Sequence, residues 1–204
     1  MRQVEEIRKL AGGRYLVTLE DGMSFPMYGR ELDEYQIHEE EELSDSDFEM
    51  IMTEVLPKRA KLCAMHLLEK MDRTEHQLRQ KLAALFYPEQ MINAALDYVK
   101  QYRYVDDVRY AVSYMEYRRE NKSVRQMEQE LYQKGISRDV FQEALEQIEQ
   151  PDEERQILDW LQKKHYDPRT ADHKETNRVY GFLLRKGYQA SAIQRMMRMQ
   201  DLYE

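Results

Sequence analysis

The chain has 204 residues, of which 42% are hydrophobic and 34% charged, and its formal net charge is −8 at pH 7. No run approaches 18 consecutive apolar residues, so the sequence predicts no membrane-spanning helix. Acidic residues near the N-terminus occupy positions where a signal peptide needs an apolar segment, so we expect no export. The single cysteine, Cys63, excludes an internal disulfide, so we expect a cytoplasmic protein without membrane association.

A small antiparallel sheet is predicted for residues 1–43. Two runs of β-prone residues, Tyr15–Leu19 and Met23–Tyr28, flank the pair Asp21-Gly22. Asp-Gly between such runs is typical of a β-hairpin. With an earlier run, Val4–Leu10, the pattern predicts a β-rich N-terminal extension of three strands.

An acidic linker that ends in a short helix is predicted for residues 44–56. Ser44 and Asp47 have the spacing of a capping box, which favours a helix that runs to the end of the linker. Residues 1–56 contain 5 Lys or Arg against 15 Asp or Glu, a net charge of −10. Because this charge repels phosphates, we expect the segment to limit non-specific DNA binding by the rest of the chain. We also expect residues 1–43 to be separable, so that deletion of residues 1–56 leaves the rest folded and increases its DNA affinity.

The remainder of the chain is predicted to be helical and repetitive. The phrase "LYQKGI", which ends at Ile136, returns as "LLRKGY", which ends at Tyr188. Glycine after an apolar helical run, with lysine in the last turn, is typical of a helix C-terminus. The recurrence predicts three tandem three-helix repeats, with bounds at 57–105, 106–150 and 151–204.

Apolar positions recur with the same spacing. Leu82 corresponds to Leu131 after 49 residues, and Leu131 corresponds to Leu183 after a further 52. The last helix of each repeat has a matching apolar face, formed by Met91, Ile92, Ala95, Leu96 and Val99, by Val140, Phe141, Ala144, Leu145 and Ile148, and by Ala192, Ile193, Met196 and Met197. A repeat of this size buries little apolar surface alone, so we expect the three to stack into an elongated array. The predicted fold class is thus mainly α.

Motifs typical of catalysis, nucleotide binding and metal ligation are absent from the sequence. The five histidines lack the spacing of a metal site, and no Gly-rich phosphate-binding motif occurs. The pair Asp106-Asp107 would suit metal-assisted or acid–base chemistry, but its place before a helical run favours helix capping. Tyrosines at helical spacing, such as Tyr110, Tyr114 and Tyr117, favour core packing over base stacking. We therefore expect no enzyme activity, no cofactor and no bound metal.

Basic residues recur near the middle helix of each repeat, mostly away from the apolar face. Two interpretations explain them equally well: a solvated helix face, and a positive track that contacts a partner containing DNA. The candidate partner-binding residues are Arg73, Arg79, Lys81, Arg118, Arg119, Lys122, Arg125, Lys134, Arg185 and Lys186. Binding along such a track would be salt-sensitive, and we expect it to be best formed in the first two repeats.

Four segments of this helical region resemble the RecX family of recombination regulators. They are "RTEHQLRQKL" at Arg73–Leu82, "YVDDVRYA" at Tyr104–Ala111, "SVRQMEQELYQKGI" ending at Ile136, and "NRVYGFLLRKGYQASAI" ending at Ile193. The similarity runs from about Pro57 to the C-terminus, with the motifs in the family's order, and the β-rich extension resembles that of longer family members.

The resemblance implies a non-enzymatic modulator of the bacterial RecA recombinase. Family members bind in the groove of the RecA–DNA filament, limit its growth or promote its disassembly, and restrain strand exchange and ATP hydrolysis. The implied partners are the RecA filament and DNA, contacted directly or through RecA, and we expect a monomer. A different interpretation stays open, in which the chain is a helical-repeat nucleic-acid-binding protein that acts independently of RecA.

Overall fold

The computed structural model, which describes residues 1–199, begins with a four-stranded antiparallel sheet. Its strands are β1 Arg2–Lys9, β2 Arg14–Leu19, β3 Ser24–Tyr28 and β4 Glu42–Leu43. They lie in the order β3-β2-β1-β4. The three predicted strands are confirmed, whereas the fourth, which pairs with the start of β1, was not predicted because Glu42 and Leu43 end a run of acidic residues without a β-prone pattern.

The predicted Asp21-Gly22 turn connects β2 to β3. The Asp21 carboxylate accepts a hydrogen bond from the backbone N–H of Met23 at 3.0 Å, and Gly22 has a φ of 81°, which glycine adopts without a Cβ penalty. This turn sets a register that places Thr18 opposite Ser24.

The first of two compact units, Met1–Asp106, continues with helices. They are α1 Gly29–Glu34, α2 Asp45–Met50, α3 Leu56–Lys70, α4 Glu75–Ala84 and α5 Glu89–Gln101. A π-helical turn, Ile51–Val55, joins α2 to α3, so the helix predicted at the end of the acidic linker continues into the first helix of the first repeat. Pro57 has no N–H, and its ring would clash with the carbonyl four residues back in a regular α-helix. The wider turn gives this ring room.

The sheet and the first repeat share one hydrophobic core. Val17 and Phe25 of the sheet belong to the same buried cluster as Ala60 of α3. Next to this cluster, Arg59 Nη1 donates to the carbonyl oxygen of Pro26 at 2.9 Å. The shared core contradicts the expectation that the N-terminal extension is separable, because the strands cover apolar side chains of the first repeat.

The second compact unit begins at Asp107, and its described residues form two further groups of three helices. They are α6 Asp107–Arg118, α7 Val124–Gln133 and α8 Arg138–Leu145, then α9 Glu153–Lys163, α10 His173–Arg185 and α11 Ala190–Met199. Each group encloses a buried cluster of its own. The predicted fold class, mainly α with three three-helix groups behind a small strand region, is confirmed. The repeat bounds stay predictions, and the last of them, residue 204, lies outside the described residues.

The predicted register of the repeats is confirmed by burial. Leu82, Leu131 and Leu183 lie in the middle helix of their repeats, and all three are 0% exposed. The glycine of each Lys-Gly phrase has the positive φ of a helix C-terminus, 87° at Gly135 and 91° at Gly187. Equivalent sequence positions therefore lie buried in the three hydrophobic clusters, the first of which the repeat shares with the sheet.

Side-chain caps begin the middle helix in all three repeats. Thr74 and Ser123 cap α4 and α7, each accepting a hydrogen bond from the backbone N–H three residues on. In the third repeat the Asp172 carboxylate caps α10 by accepting a hydrogen bond from the backbone N–H of Glu175 at 2.7 Å. Measured back from the aligned leucines Leu82, Leu131 and Leu183, the middle helix of the third repeat therefore begins one turn earlier than the middle helices of the first two repeats.

A polar joint connects the second and third repeats within the second unit. The Ser123 hydroxyl donates to the carbonyl oxygen of Lys186 at 2.7 Å, so the start of α7 meets the end of α10. Glu153 of α9 accepts a hydrogen bond from the backbone N–H of Val124 at 2.8 Å. Both helix ends thereby satisfy backbone groups that have no partner inside their own helix.

Replacement of Gly187 by alanine is expected to destabilise this joint by about 1–3 kcal/mol, because a left-handed backbone strains any residue with a Cβ. The added Cβ would also lie 2.6 Å from Ser123 Oγ and 3.3 Å from the backbone nitrogen of Gln126. Urea denaturation followed by circular dichroism measures the effect. Gly181→Ala is the matched control, since a Cβ there lies 3.4 Å from the flexible end of Arg185, and we expect it to be neutral or stabilising. Equal stability of Gly187→Ala and the parent chain would contradict this account.

Candidate partner-binding surface

The predicted basic residues of the first repeat differ in their surroundings. Arg79 of α4 is ion-paired with Glu89 at the start of α5 and donates to the side-chain oxygen of Asn93 at 2.8 Å. It therefore holds α4 against α5. Lys81 is exposed in the last turn of α4, and Arg73 is half-buried just before that helix.

Lys122 of the second repeat is engaged in a half-buried polar cluster. Its ammonium group donates to both carboxylate oxygens of Glu130, and the Tyr114 hydroxyl donates to the same carboxylate. Burial alone would raise the pKa of Glu130, but the hydrogen bonds from Lys122 and Tyr114, together with the positive charges of Lys122 and Arg118, lower the pKa below its ordinary value. Burial, followed by the bond to Glu130, raises the pKa of Tyr114 to about 12. The cluster is thus internally neutralised at neutral pH.

The other predicted bases of the second repeat lie mostly against rings or carboxylates. Arg119 is paired with Glu149 at 2.9 Å, and the Arg118 guanidinium lies 5.0 Å from the ring centroid of Tyr117. Lys134 is half-buried, and Arg125 is exposed on α7. Residues 106–150 carry 7 Lys or Arg against 10 Asp or Glu, so this repeat is negative overall.

The third repeat brings its basic residues together around two aromatic rings. Lys186 Nζ lies 5.0 Å from the ring centroid of Trp160, and Lys164 Nζ lies 4.6 Å from that of Phe182. The two rings pack edge to face with their centroids 5.2 Å apart. We name this surface the basic–aromatic cluster, and it comprises Trp160, Lys163, Lys164, Arg178, Phe182, Arg185 and Lys186.

Few carboxylates neutralise this cluster. Within residues 1–199, no carboxylate lies within ion-pair distance of Lys163, Lys164, Arg185 or Lys186, whereas Arg178 lies 3.5 Å from Glu175. Residues 151–199 carry 10 Lys or Arg against 7 Asp or Glu, the reverse of the second repeat. A depression of about 320 Å³ opens among the basic side chains, lined by Lys164, Arg178, Val179, Phe182 and Arg185.

Sequence reasoning found two members of the cluster and missed five. Arg185 and Lys186 were candidates, but Lys163, Lys164 and Arg178 were not. The available signal was helical spacing, because lysines follow Trp160 three and four residues on at the end of α9, and Phe182 is flanked by Arg178 and Arg185 in α10.

The described residues give no support for a metal site or for a reactive cysteine. No group of three or more His, Cys, Asp or Glu side chains is arranged to hold a metal ion anywhere in residues 1–199. Burial raises the pKa of the Cys63 thiol, which disfavours the reactive thiolate. Of the helices that the structure describes, none combines the length and apolar character that a membrane crossing requires.

Three family models match the chain in succession. They are described as the first, second and third three-helix domains of RecX, and they cover residues 60–98, 106–145 and 152–197. The matches coincide with the three helix groups of the structure.

Curated relatives with the name "Regulatory protein RecX" match over most of the chain. The protein from Clostridium botulinum (strain Eklund 17B / Type B) is 27% identical over 186 residues, which are 90% of this chain and 88% of the relative. The protein from Vibrio parahaemolyticus serotype O3:K6 is 30% identical over 150 residues, which are 70% of this chain and 92% of the relative.

Solved structures share the fold. A crystal structure of regulatory protein RecX superposes with a TM-score of 0.65 at 22% identity, covering 96% of this chain and 98% of that one. The crystal structure of RecX from Lactobacillus salivarius has a TM-score of 0.64 at 20% identity and covers 72% of this chain and 97% of that one. At these identities the likeness concerns the fold alone.

Proposed function

The chain belongs to the RecX family of regulatory proteins, and from that premise we propose that it binds the RecA–DNA filament and inhibits or modulates the recombinase and ATPase activities of RecA. The observation that carries the proposal is the presence of all three RecX three-helix domains, in order, in one chain. The protein would act in the cytoplasm as a monomer, through binding and without catalysis of its own.

A repeated architecture suits a repeated partner. A helical filament offers the same surface on each protomer, and three linked repeats can make several contacts that are weak singly. Once one repeat is bound, the effective concentration of the next is high, so the joined contacts give a much tighter complex than any one of them. Such avidity favours a polymer such as a RecA filament over a small single-site partner.

The distribution of charge favours a nucleoprotein partner over naked DNA. Residues 1–56 carry a net charge of −10 and fold onto the first repeat, which places repulsion for phosphates in the first unit. The second unit ends in a repeat with excess positive charge. Such a molecule can contact both a protein surface and a nucleic acid within one complex.

RecA-catalysed ATP hydrolysis on single-stranded DNA, measured with and without the purified chain, tests the proposal. We expect hydrolysis to fall as the ratio of chain to RecA rises, and excess DNA should not restore it. Restoration by added DNA would instead indicate that the chain only competes for DNA. No effect on hydrolysis, together with salt-sensitive DNA binding, would contradict the proposal and favour a nucleic-acid-binding protein that acts independently of RecA.

A further inference from the structure

We propose that the basic–aromatic cluster of the third repeat binds a single strand of nucleic acid. The basic side chains would contact successive phosphates, while Phe182 and Trp160 would offer ring faces to unstacked bases. This inference deepens the proposed function, on which it rests for the assignment of the strand to a RecA filament, by naming a direct DNA contact on this chain.

The charges of the cluster call for an anionic partner. Lys163 and Lys164 at the end of α9, and Arg185 and Lys186 at the end of α10, have no carboxylate within ion-pair distance in the described structure. The ammonium groups of the three lysines instead lie over the rings of Trp160 and Phe182, and an exposed cation–π contact contributes only about 0.5–1 kcal/mol. Like charges held this close repel one another, so a polyanion that bridges them would be bound with a gain in free energy.

The contrast with the second repeat separates this cluster from ordinary surface charge. There, Lys122 donates to Glu130 and Arg119 is paired with Glu149, so the same residue types are neutralised by the protein itself. In the third repeat the bases surround an open depression of about 320 Å³ with a half-buried ring, Phe182, in its lining. Of the basic side chains that line this depression, Lys164 and Arg185 have no carboxylate within ion-pair distance in the described structure, so they are able to bind an anionic ligand.

The aromatic rings favour a single strand over a duplex or an acidic protein. Bases in a duplex are stacked on one another, whereas those of a single strand can stack on protein rings. When phosphates attract Lys163, Lys164 and Lys186 away from the ring faces, Trp160 and Phe182 become available for such stacking. Acidic side chains of a protein would satisfy the charges but would gain nothing from two rings placed among them.

The test is direct binding of a fluorescein-labelled oligothymidylate to the full-length chain without RecA. Fluorescence anisotropy gives the affinity, and quenching of Trp160, the only tryptophan of the chain, reports contact at the cluster. We expect quenching on binding and an affinity that falls with salt. Absence of binding, or binding without a change in Trp160 emission, would overturn the proposal.

Charge reversal at the cluster sharpens the test. Lys164→Glu with Arg185→Glu should weaken oligonucleotide binding about tenfold or more and lower the salt slope by about 0.7 for each lost phosphate contact. Arg155→Glu with Arg198→Glu is the matched control, because these bases are also exposed in the third repeat but line other depressions. Equal losses in the two double variants would overturn the proposal in favour of non-specific charge.

A third variant addresses stacking, and the ATPase assay separates the two proposals. Phe182→Leu keeps an apolar side chain but removes the ring, and we expect about fivefold or more weaker binding with thermal stability checked by circular dichroism. If the Lys164/Arg185 variant binds the oligonucleotide normally but loses its effect on RecA, the cluster contacts protein and the inference is wrong. If the parent chain binds the oligonucleotide yet leaves RecA hydrolysis unchanged, the proposed function fails while the site stands.

Discussion

Deletion of residues 1–56 is expected to unfold the first repeat and to leave the second unit folded. The deleted segment supplies nine side chains to the buried cluster of the first unit, namely Val4, Val17, Leu19, Phe25, Met27, Ile37, Leu43, Ile51 and Leu56. Full burial of each such side chain is worth about 1.5–3 kcal/mol. Without them, the apolar face of α3 and α5 is exposed to water, and the loss exceeds what a domain of marginal stability tolerates.

Amide hydrogen exchange resolves the two units in one experiment. In the truncated chain we expect fast exchange across α3 to α5, while α7 and α10 keep their protection because their cores lie within residues 107–199. A full-length variant with Glu40→Gln, Glu41→Gln and Glu42→Gln is the control, since these exposed residues contribute charge and not burial. This variant should stay folded, and its DNA affinity tests the expected electrostatic role of the acidic segment. Protected α3 to α5 amides in the truncated chain would show that the extension is separable after all.

The helical repeats were predictable because their signals are local. Leu82, Leu131 and Leu183 each belong to an apolar face that repeats every 3.6 residues, and the caps at Thr74 and Ser123 lie within the same stretch of sequence. Each of these features depends on residues less than two turns apart. They can therefore be recognised in a single sequence, and the recurrence of the pattern in each repeat supports the assignment of the others.

The N-terminal fold depends on long-range contacts that no local sequence pattern predicts. Strand β4 consists of Glu42 and Leu43 in an acidic run without alternating polarity, and it forms because it pairs with β1 some forty residues away. The chain reaches that position through Gln36 and Glu40, which have φ values of 49° and 64°. Positive φ is expected at Gly or Asn, so these two turns carried no recognisable turn residue.

The candidate site was harder to predict because its members come from two helices. Composition and spacing marked bases in every repeat, but they could not tell which bases have acidic partners. Arg79, Arg119 and Lys122 are neutralised by carboxylates that lie 8 to 30 residues away in sequence. The expectation that the first two repeats carry the partner-binding track stays a prediction, and the structure directs our proposal to the third repeat.

The second large effect that we expect is a loss of stability when one of the three leucines of the repeat register is replaced by alanine. Leu183→Ala removes a side chain that is 0% exposed from the buried cluster of the third repeat, and we expect a loss of about 2–5 kcal/mol in the free energy of unfolding. The fluorescence of Trp160, which packs against the same cluster, follows the urea transition of this repeat. Leu82→Ala and Leu131→Ala should cost similar amounts in their own cores, as measured by circular dichroism.

The neighbouring residue supplies a matched control for this prediction. Leu184 directly follows Leu183 in α10 but is 41% exposed. Leu184→Ala therefore removes the same atoms as Leu183→Ala, but from a side chain that water already reaches. We expect a change of less than about 0.5 kcal/mol, as is usual for surface substitutions. A helix keeps its intrinsic stability in both variants, since leucine and alanine have similar helix propensities. The difference between the two variants therefore isolates burial, and equal effects would show that Leu183 does not occupy the core position that the repeat register assigns to it.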